Sequence, residues 1–304
     1  MRITLLPMLS AMLFPVMGLA PGLAGEEPGY AHPELLLEPA ELAKPAVAEQ
    51  FVVLDAGSEE RYKQRHVPGA LWLDHDAWKA AFGDGRDAQA WSRRIGELGI
   101  RAGSKVVVYD DLGLKNAGRM WWILRYWGVD DVRLLNGGWK AWTAAGLATT
   151  DQPTPAPEPA EFQAEPRSNR LATLQQMLGA VNRSQWQIVD ARSEGEFCGI
   201  DKLGNKRAGA MPGAKNLDWT KLVDPDTGRF KPPQELRRLF DEAGIDLGRP
   251  TATYCQSGGR ASVMAFGLEL LGAKNVRNYY QSWNEWGNSE TTPIVVPEKP
   301  KEKE

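Results

Sequence analysis

The stretch TATYCQSGGRASVMAFGLELLG, from Thr251 to Gly272, passes directly from one secondary-structure pattern into another. Its first four residues are β-branched, small or aromatic, which is typical of a short buried strand. From Ala261 onward apolar residues recur at helical spacing, with Val263, Phe266 and Leu270 on one stripe. A strand that leads straight into a helix is the unit of a parallel α/β sheet, so this stretch predicts that architecture.

The chain of 304 residues contains this unit twice. FVVLDAGSEERY from Phe51 resembles WQIVDARSEGEF from Trp186, and residues 106–142 align without a gap to residues 250–286. In that alignment Asp111 stands opposite Cys255. A repeat of this length predicts two domains, each a mainly parallel sheet with helices on both faces.

A proline-rich segment separates the two halves. TTDQPTPAPEPAEFQAEP, residues 149–166, has five prolines and no periodicity, as in extended linkers. We therefore predict a first domain over 35–148, a second over 167–294 and a polar tail over 295–304. In the second domain the patterns predict strands at 187–190, 214–217, 251–254 and 276–279, and helices at 233–243 and 261–271. Nine extra residues around CGIDKLGNK, which begins at Cys198, occur in the second half only.

The N-terminus has the pattern of an export signal. Arg2 precedes an apolar run that ends in PGLAGEE, with small residues at Gly22 and Ala24. We expect a signal peptide over residues 1–24, cleaved near Ala24, and a periplasmic mature protein. A membrane anchor is the alternative, but prolines and a glycine interrupt the run. No later segment is comparably apolar, so we expect no membrane contact after cleavage.

Composition excludes several kinds of site. The net charge is −3 and both signs are mixed along the chain, so we expect no nucleic-acid partner. Cys198 and Cys255, the only two cysteines, allow one bridge or a reactive thiol. The histidines, at positions 32, 66 and 75, offer no close-spaced ligand pair, so no metal site is predicted.

Cys255 follows a strand at the edge where ligand sites form in parallel sheets. A loop that enters a helix turns its N–H groups inward, and the helix adds the positive end of its dipole. We expect these groups to form a nest for one anion, which would also favour the thiolate of Cys255. The nest residues are Gln256, Ser257, Gly258, Gly259, Arg260 and Ala261. A cysteine that only packs as a small apolar residue is the alternative, and the two glycines and the arginine argue against it.

The loop YCQSGGRAS resembles the active-site loop of rhodaneses, which are sulfurtransferases. LDAGSEERYKQRHVPGA and VDARSEGEF resemble the paired motifs of that family, and DPDTGRFKPPQELRRLFDEAGID resembles its tandem two-domain branch. The resemblance covers nearly the whole mature chain. It implies two rhodanese domains of an exported bacterial type, with catalysis in the second domain. The first domain would be inactive, with Asp111 at its degenerate site.

The resemblance also implies a reaction. The Cys255 thiolate would attack the outer sulfur of thiosulfate, sulfite would leave, and the persulfide would pass its sulfur to cyanide or another thiophilic acceptor. No cofactor is implied, and the partners are a small anionic sulfur donor and that acceptor. Arg260 is expected to hold the donor. Arg192 either lines the same pocket or forms a structural ion pair with Asp190 or Glu194.

The choice of donor and of reaction class stays open at this point. Thiosulfate-specific tandem members resemble CRKG and mercaptopyruvate-specific ones resemble CGSG, whereas this loop has Ser257 and Arg260, so 3-mercaptopyruvate is an alternative donor. Cysteine phosphatases of this fold resemble a cysteine followed by five residues and then an arginine. Here four residues separate them, which favours a persulfide over a phosphate. A non-catalytic sulfur carrier or redox protein that uses Cys198 with Cys255 is the third alternative.

Overall fold

A computed structural model describes residues 29–298, so the predicted signal peptide and the end of the polar tail lie outside the described part. The described chain forms two halves, each built around a parallel sheet flanked by helices. The predicted fold class is confirmed. Across residues 29–298, no helix is both long and apolar enough to cross a membrane.

The first half contains five strands and the helices that cover them. The strands are β1 (Leu36–Leu37), β2 (Phe51–Asp55), β3 (Leu71–Trp72), β4 (Lys105–Tyr109) and β5 (Asp131–Leu135). The helices are α1 (Pro39–Leu42), α2 (Pro45–Ala48), α3 (Glu59–Gln64), α4 (His75–Phe82), α5 (Ala88–Gly96), α6 (Lys115–Tyr126) and α7 (Gly138–Ala144). The sheet order is β1-β5-β4-β2-β3 and every pairing is parallel. All carboxyl ends therefore meet at one edge.

The second half repeats this plan with one strand fewer in its sheet. The strands are β6 (Gln187–Asp190), β7 (Lys215–Asn216), β8 (Thr251–Tyr254) and β9 (Val276–Asn278). The helices are α8 (Leu174–Arg183), α9 (Glu194–Phe197), α10 (Pro233–Glu242), α11 (Gly259–Leu270) and α12 (Ser282–Trp286). The order is β7-β6-β8-β9, again all parallel, so β8 is a central strand.

Most of the predicted elements of the second half are present. The strands at 187–190 and 251–254 lie where they were predicted, and the one predicted at 214–217 is reduced to β7. Helix α11 starts two residues before its predicted start. Gly258 caps it in the left-handed conformation, which lets Gly259 enter the first turn.

A single apolar stripe would suggest that the outer face of α11 is exposed to solvent. In the structure this face is buried. Helix α6 of the first half packs against it. The contact is close, because a Cβ atom placed on Gly118 would lie 2.8 Å from Cγ2 of Val263. One apolar cluster consequently runs through both halves and includes Val108, Trp122, Val189 and Phe266.

The proline-rich linker runs along the surface of the first half. Residues 151–167 contain no helix or strand. Backbone hydrogen bonds join Ala160 to Gly96 at 2.9 Å and Glu165 to Trp127 at 3.0 Å. These hydrogen bonds hold the linker against the first half. They thereby determine the position at which the second half begins.

Candidate active site

The loop after β8 brings Cys255 to the carboxyl edge of the second sheet, where it is 1% exposed. Gln256 and Ser257 turn the chain, and Gly258 has a φ of +85° as the N-cap of α11. A Cβ atom on Gly258 would also lie only 2.7 Å from the ring of Tyr280. This glycine is therefore required both for its conformation and for space.

The loop presents several backbone N–H groups that can donate to an anion. Within the described residues, no atom accepts a hydrogen bond from the N–H groups of Gln256, Ser257, Gly259, Arg260 or Ala261. The last three belong to the first turn of α11, where N–H groups have no partner inside the helix. Together with the positive end of the helix dipole, these N–H groups can bind one negative atom beside the thiol, and the nest itself stays a prediction.

Ser282 ties this loop in place, and motif analysis did not anticipate it. Its hydroxyl oxygen accepts hydrogen bonds from the N–H groups of Cys255 at 3.0 Å and Gly258 at 3.2 Å. Ser282 is fully buried and has a φ of +55°, a conformation that costs energy in any residue with a side chain. The repeat contained a clue, because Ser282 aligns with Gly138, whose φ is also positive.

Arg260, which was expected to hold the donor, is paired with a carboxylate in the structure. Its guanidinium forms two hydrogen bonds to the Glu196 carboxylate, at 2.6 and 2.8 Å. Burial raises the pKa of Glu196, but the hydrogen bonds and charge of Arg260 outweigh it, so the pKa of Glu196 is lowered. The carboxylate is therefore ionised and neutralises the one cation of the loop.

Arg192 does not line a pocket, because it is 1% exposed. Its Nη2 atom donates to the Asp190 carboxylate at 2.6 Å and to the Gly209 carbonyl at 2.8 Å. The guanidinium also lies 4.3 Å from the centre of the Trp283 ring. The structure thus shows the alternative interpretation, a structural ion pair with Asp190. That carboxylate is fully buried at the end of β6 and needs a cation.

A pair of tyrosines corrects the alignment of the two loops. Tyr109 ends β4 and its hydroxyl accepts a hydrogen bond from the N–H of Val67 at 3.1 Å. Tyr254 ends β8 and accepts the equivalent bond from Met211 at 3.2 Å. Tyr109 therefore corresponds to Tyr254, which shifts the gapless alignment by one residue at this point.

The residue that corresponds to Cys255 is consequently Asp110, and the prediction of Asp111 was wrong. The gapless alignment failed because the first-half loop is one residue longer. Its helix cap, Leu114, comes four residues after Asp110, whereas Gly258 comes three residues after Cys255.

The carboxylate of Asp110 fills the nest of the first half. One oxygen accepts from the N–H groups of Leu112 and Leu114 at 3.0 and 2.8 Å, and the other from Asn116 and Ala117 at 2.7 and 2.8 Å. Burial raises the pKa of Asp110, and the four N–H groups oppose that shift. The same loop type thus holds a carboxyl group where the second half has a thiol.

Asp111 has a different role in the first half. Its carboxylate lies 3.3 Å from Nε of Arg61, which also pairs with Asp55 at the end of β2. The guanidinium of Arg61 lies 4.8 Å from the Trp139 ring, as that of Arg192 lies on Trp283 in the second half. Each half therefore keeps one arginine on its strand-end aspartate.

One basic side chain, Arg119, and one aromatic side chain, Tyr280, connect the loop to the first half. Arg119 of α6 donates to the Ser257 carbonyl at 2.6 Å and to the Tyr280 hydroxyl at 2.9 Å. The Tyr280 ring stacks on Trp122 of α6, with centroids 5.3 Å apart. The site is therefore built from both halves, which the loop sequence alone did not indicate.

The insertion of the second half supports the loop from the other side. Asn205 exchanges hydrogen bonds with the Gln256 side chain, at 2.9 and 3.2 Å. Cys198 is buried at the end of α9, and over residues 29–298 no disulfide bond joins it to Cys255. The insertion thus orients Gln256 and leaves the thiol of Cys255 available.

Comparison with known proteins identifies both halves. The family described as Rhodanese-like domain matches residues 38–145 and 172–289. A thiosulfate sulfurtransferase of Pseudomonas aeruginosa is 34% identical over 86% of this chain and 97% of its own length. The sulfur carrier protein TtuD of Thermus thermophilus is 33% identical over 89% of this chain and 100% of its own. The crystal structure of SseA from Escherichia coli, described as a 3-mercaptopyruvate sulfotransferase, gives a TM-score of 0.72 at 27% identity, covering 83% of this chain and 99% of that one.

Proposed function

This chain belongs to the rhodanese family of sulfurtransferases, and we propose that it moves a sulfane sulfur from thiosulfate to cyanide or another thiophilic acceptor through a persulfide on Cys255. Named sulfurtransferases match it over most of its length, which supports the reaction class. The choice of thiosulfate rests on those relatives and on the anion nest.

The observation that carries the proposal is the equivalence of the two nests. In the first half, four N–H groups surround the carboxyl group of Asp110. In the second half, the same kind of loop surrounds Cys255 with N–H groups that have no acceptor among the described residues. This supports a negative sulfur at that position, first as thiolate and then as the outer atom of a persulfide.

The proposed reaction has two steps. The Cys255 thiolate attacks the outer sulfur of thiosulfate, a new S–S bond forms, and the old S–S bond breaks with its electron pair leaving on sulfite. Cyanide then attacks the outer sulfur of the persulfide, the S–S bond breaks, and thiocyanate leaves while the thiolate is regenerated. The covalent intermediate divides the transfer into two easier displacements.

A second donor, 3-mercaptopyruvate, is favoured by the pairing of Arg260 with Glu196. Because that pair is neutral overall, Arg260 is not free to hold a dianion such as thiosulfate. 3-Mercaptopyruvate carries its fixed charge on one carboxylate only. The thiolate would take its sulfur and release pyruvate enolate, which picks up a proton.

The test compares both donors on the same protein. After thiosulfate alone, intact mass should rise by one sulfur atom, and cyanide should remove it. Cys255→Ser should show neither event while its melting temperature stays near that of the wild type. Cys198→Ser is the matched control and should still take up sulfur. Absence of the mass increase with both donors would contradict the proposal, as would hydrolysis of aryl phosphates that depends on Cys255.

We also propose that the protein is exported and that residues 1–24 are removed. The apolar run and the small residues before position 25 support this. N-terminal sequencing of protein from its native host should find a start near Gly25. A soluble protein that keeps Met1 in the cytoplasm would contradict export without affecting the proposed chemistry.

A further inference from the structure

Arg119 carries a buried positive charge that no carboxylate neutralises within residues 29–298. Its residue exposure is 5%, and the acceptors it reaches are the carbonyl and hydroxyl of Ser257 and the hydroxyl of Tyr280. Its Nε atom is buried and has no hydrogen-bond partner. Because buried charges are normally paired, this arrangement calls for an anion close by.

The guanidinium of Arg119 lies against the loop that carries Cys255. The guanidinium holds the Ser257 carbonyl at 2.6 Å and thereby fixes the orientation of the peptide group two residues after Cys255. Gly259 makes the approach possible, since a Cβ atom there would lie 2.6 Å from Nη2 of Arg119. Gly259 has no positive φ, so the second glycine of the loop serves clearance and not conformation.

Arg119 contacts the loop directly and, among the described residues, has no carboxylate partner. Arg260 and Glu196 form an ion pair that cancels. On the first-half side stands His75, whose pKa is lowered to about 4, first by burial and then by the charge of Arg119. His75 is therefore neutral near pH 7. The Tyr280 hydroxyl stays protonated, because burial raises its pKa.

We propose that Arg119 is a positioning residue by which the first domain controls the reactivity of Cys255. It fixes Ser257 so that the N–H groups of the loop face the sulfur, and its charge balances the thiolate and the persulfide. The statement about the persulfide rests on the proposed function. The statement about the thiolate does not, because alkylation of Cys255 requires no sulfur donor.

The first experiment measures how fast iodoacetamide alkylates Cys255 between pH 5 and 10, in a Cys198→Ser background. Arg119→Gln should move the midpoint of the profile upward by roughly one to two pH units, as expected for loss of a nearby charge. Arg119→Lys keeps the charge, so its midpoint should lie close to that of the wild type. Arg125→Gln, on the same helix and remote from the loop, is the control and should match the wild type.

Gly259→Ala provides a test in which Arg119 is displaced but not removed. Alanine suits the first turn of a helix, so the fold should be retained. The midpoint should again move upward, and Gly259→Ala should add little in an Arg119→Gln background. Unchanged midpoints in both single variants would overturn the inference, and so would equal shifts in Arg119→Lys and Arg119→Gln. If the wild type takes up no sulfur while the midpoints move as expected, the proposed function fails and the role of Arg119 stands.

Discussion

Ser282 shows how one oxygen atom can hold the loop around Cys255. Its hydroxyl is the acceptor for two buried N–H groups of the loop. Ser282→Ala should leave both donors unsatisfied, at about 1–3 kcal/mol each, and lower turnover by at least about tenfold as the loop relaxes. Thermal unfolding and steady-state sulfur transfer measure the two effects. Ser168→Ala, at an exposed serine, should change neither, and a Ser282→Ala variant that behaves like it would contradict this role.

Asp110 and Asp111 give a direct test of the corrected loop alignment. Asp110→Ala removes the acceptor of four N–H groups and should destabilise the protein by about 3 kcal/mol or more in urea unfolding. Asp111→Ala breaks only a partly exposed ion pair and should cost about 1 kcal/mol or less. Turnover of the folded protein should stay within a few-fold in both. Equal losses of stability would restore the alignment that pairs Asp111 with Cys255.

The residues of the candidate site differ in how well they can be predicted from the sequence. Cys255 and Gly258 were predictable because a strand, a turn and a helix follow one another locally. Ser282 lies beyond the next strand and was detectable only through its counterpart Gly138. Arg119 comes from the other half, and its one clue is a cation within an apolar helix, AGRMWW. Contacts between distant segments leave no local pattern.

At the scale of elements, the start of α4 should make stability depend on pH. Burial and then the charge of Arg119 lower the pKa of His75 to about 4, while an unfolded histidine titrates near 6.5. The unfolded state therefore binds the proton first, so this stability is complete above about pH 6.5 and is lost as the pH falls toward 4. In the His75→Gln variant the melting temperature should change less with pH over that range. The His32→Gln variant, changed at an exposed histidine, should keep the pH dependence of the wild type. An identical pH dependence in all three proteins would contradict the assignment.

The short helix α9 should control the charge at the loop. Glu196→Gln removes the partner of Arg260 and should lower the KM for thiosulfate several-fold, because a free cation then faces the dianion. The loss of a buried ion pair should also lower the melting temperature. Glu194→Gln on the same helix is exposed and should change neither. A KM that rises in Glu196→Gln would show that Glu196 does not oppose donor binding.

Strands and helices with strong local patterns were predictable, and their limits were less so. The central strands β6 and β8 are continuous buried runs and lie where expected. Strand β7 has only two residues, because it lies at the edge of the sheet and pairs with β6 only at Lys215 and Asn216. Helix α11 is buried on nearly all sides because α6 covers it, and no periodicity within α11 can show that.

At the scale of the whole molecule, the two halves should not act separately. A polypeptide of residues 167–298 would expose the face of α11 that α6 covers and would lack Arg119. We expect it to aggregate in size-exclusion chromatography and to lose sulfur transfer. Addition of residues 29–166 should restore part of both properties. An active, monomeric second half would contradict the shared core.

The carboxyl group that fills the first-half nest also has a historical consequence. Suppose that both halves descend from one duplicated ancestor with a reactive thiol. The exchange of cysteine for aspartate would then have removed the nucleophile from one copy and added hydrogen bonds to its loop in the same step. A return to the ancestral chemistry would first have to give up four hydrogen bonds before any reactivity was regained. On that premise, a cysteine could return to this position only at the expense of the stability of the first half.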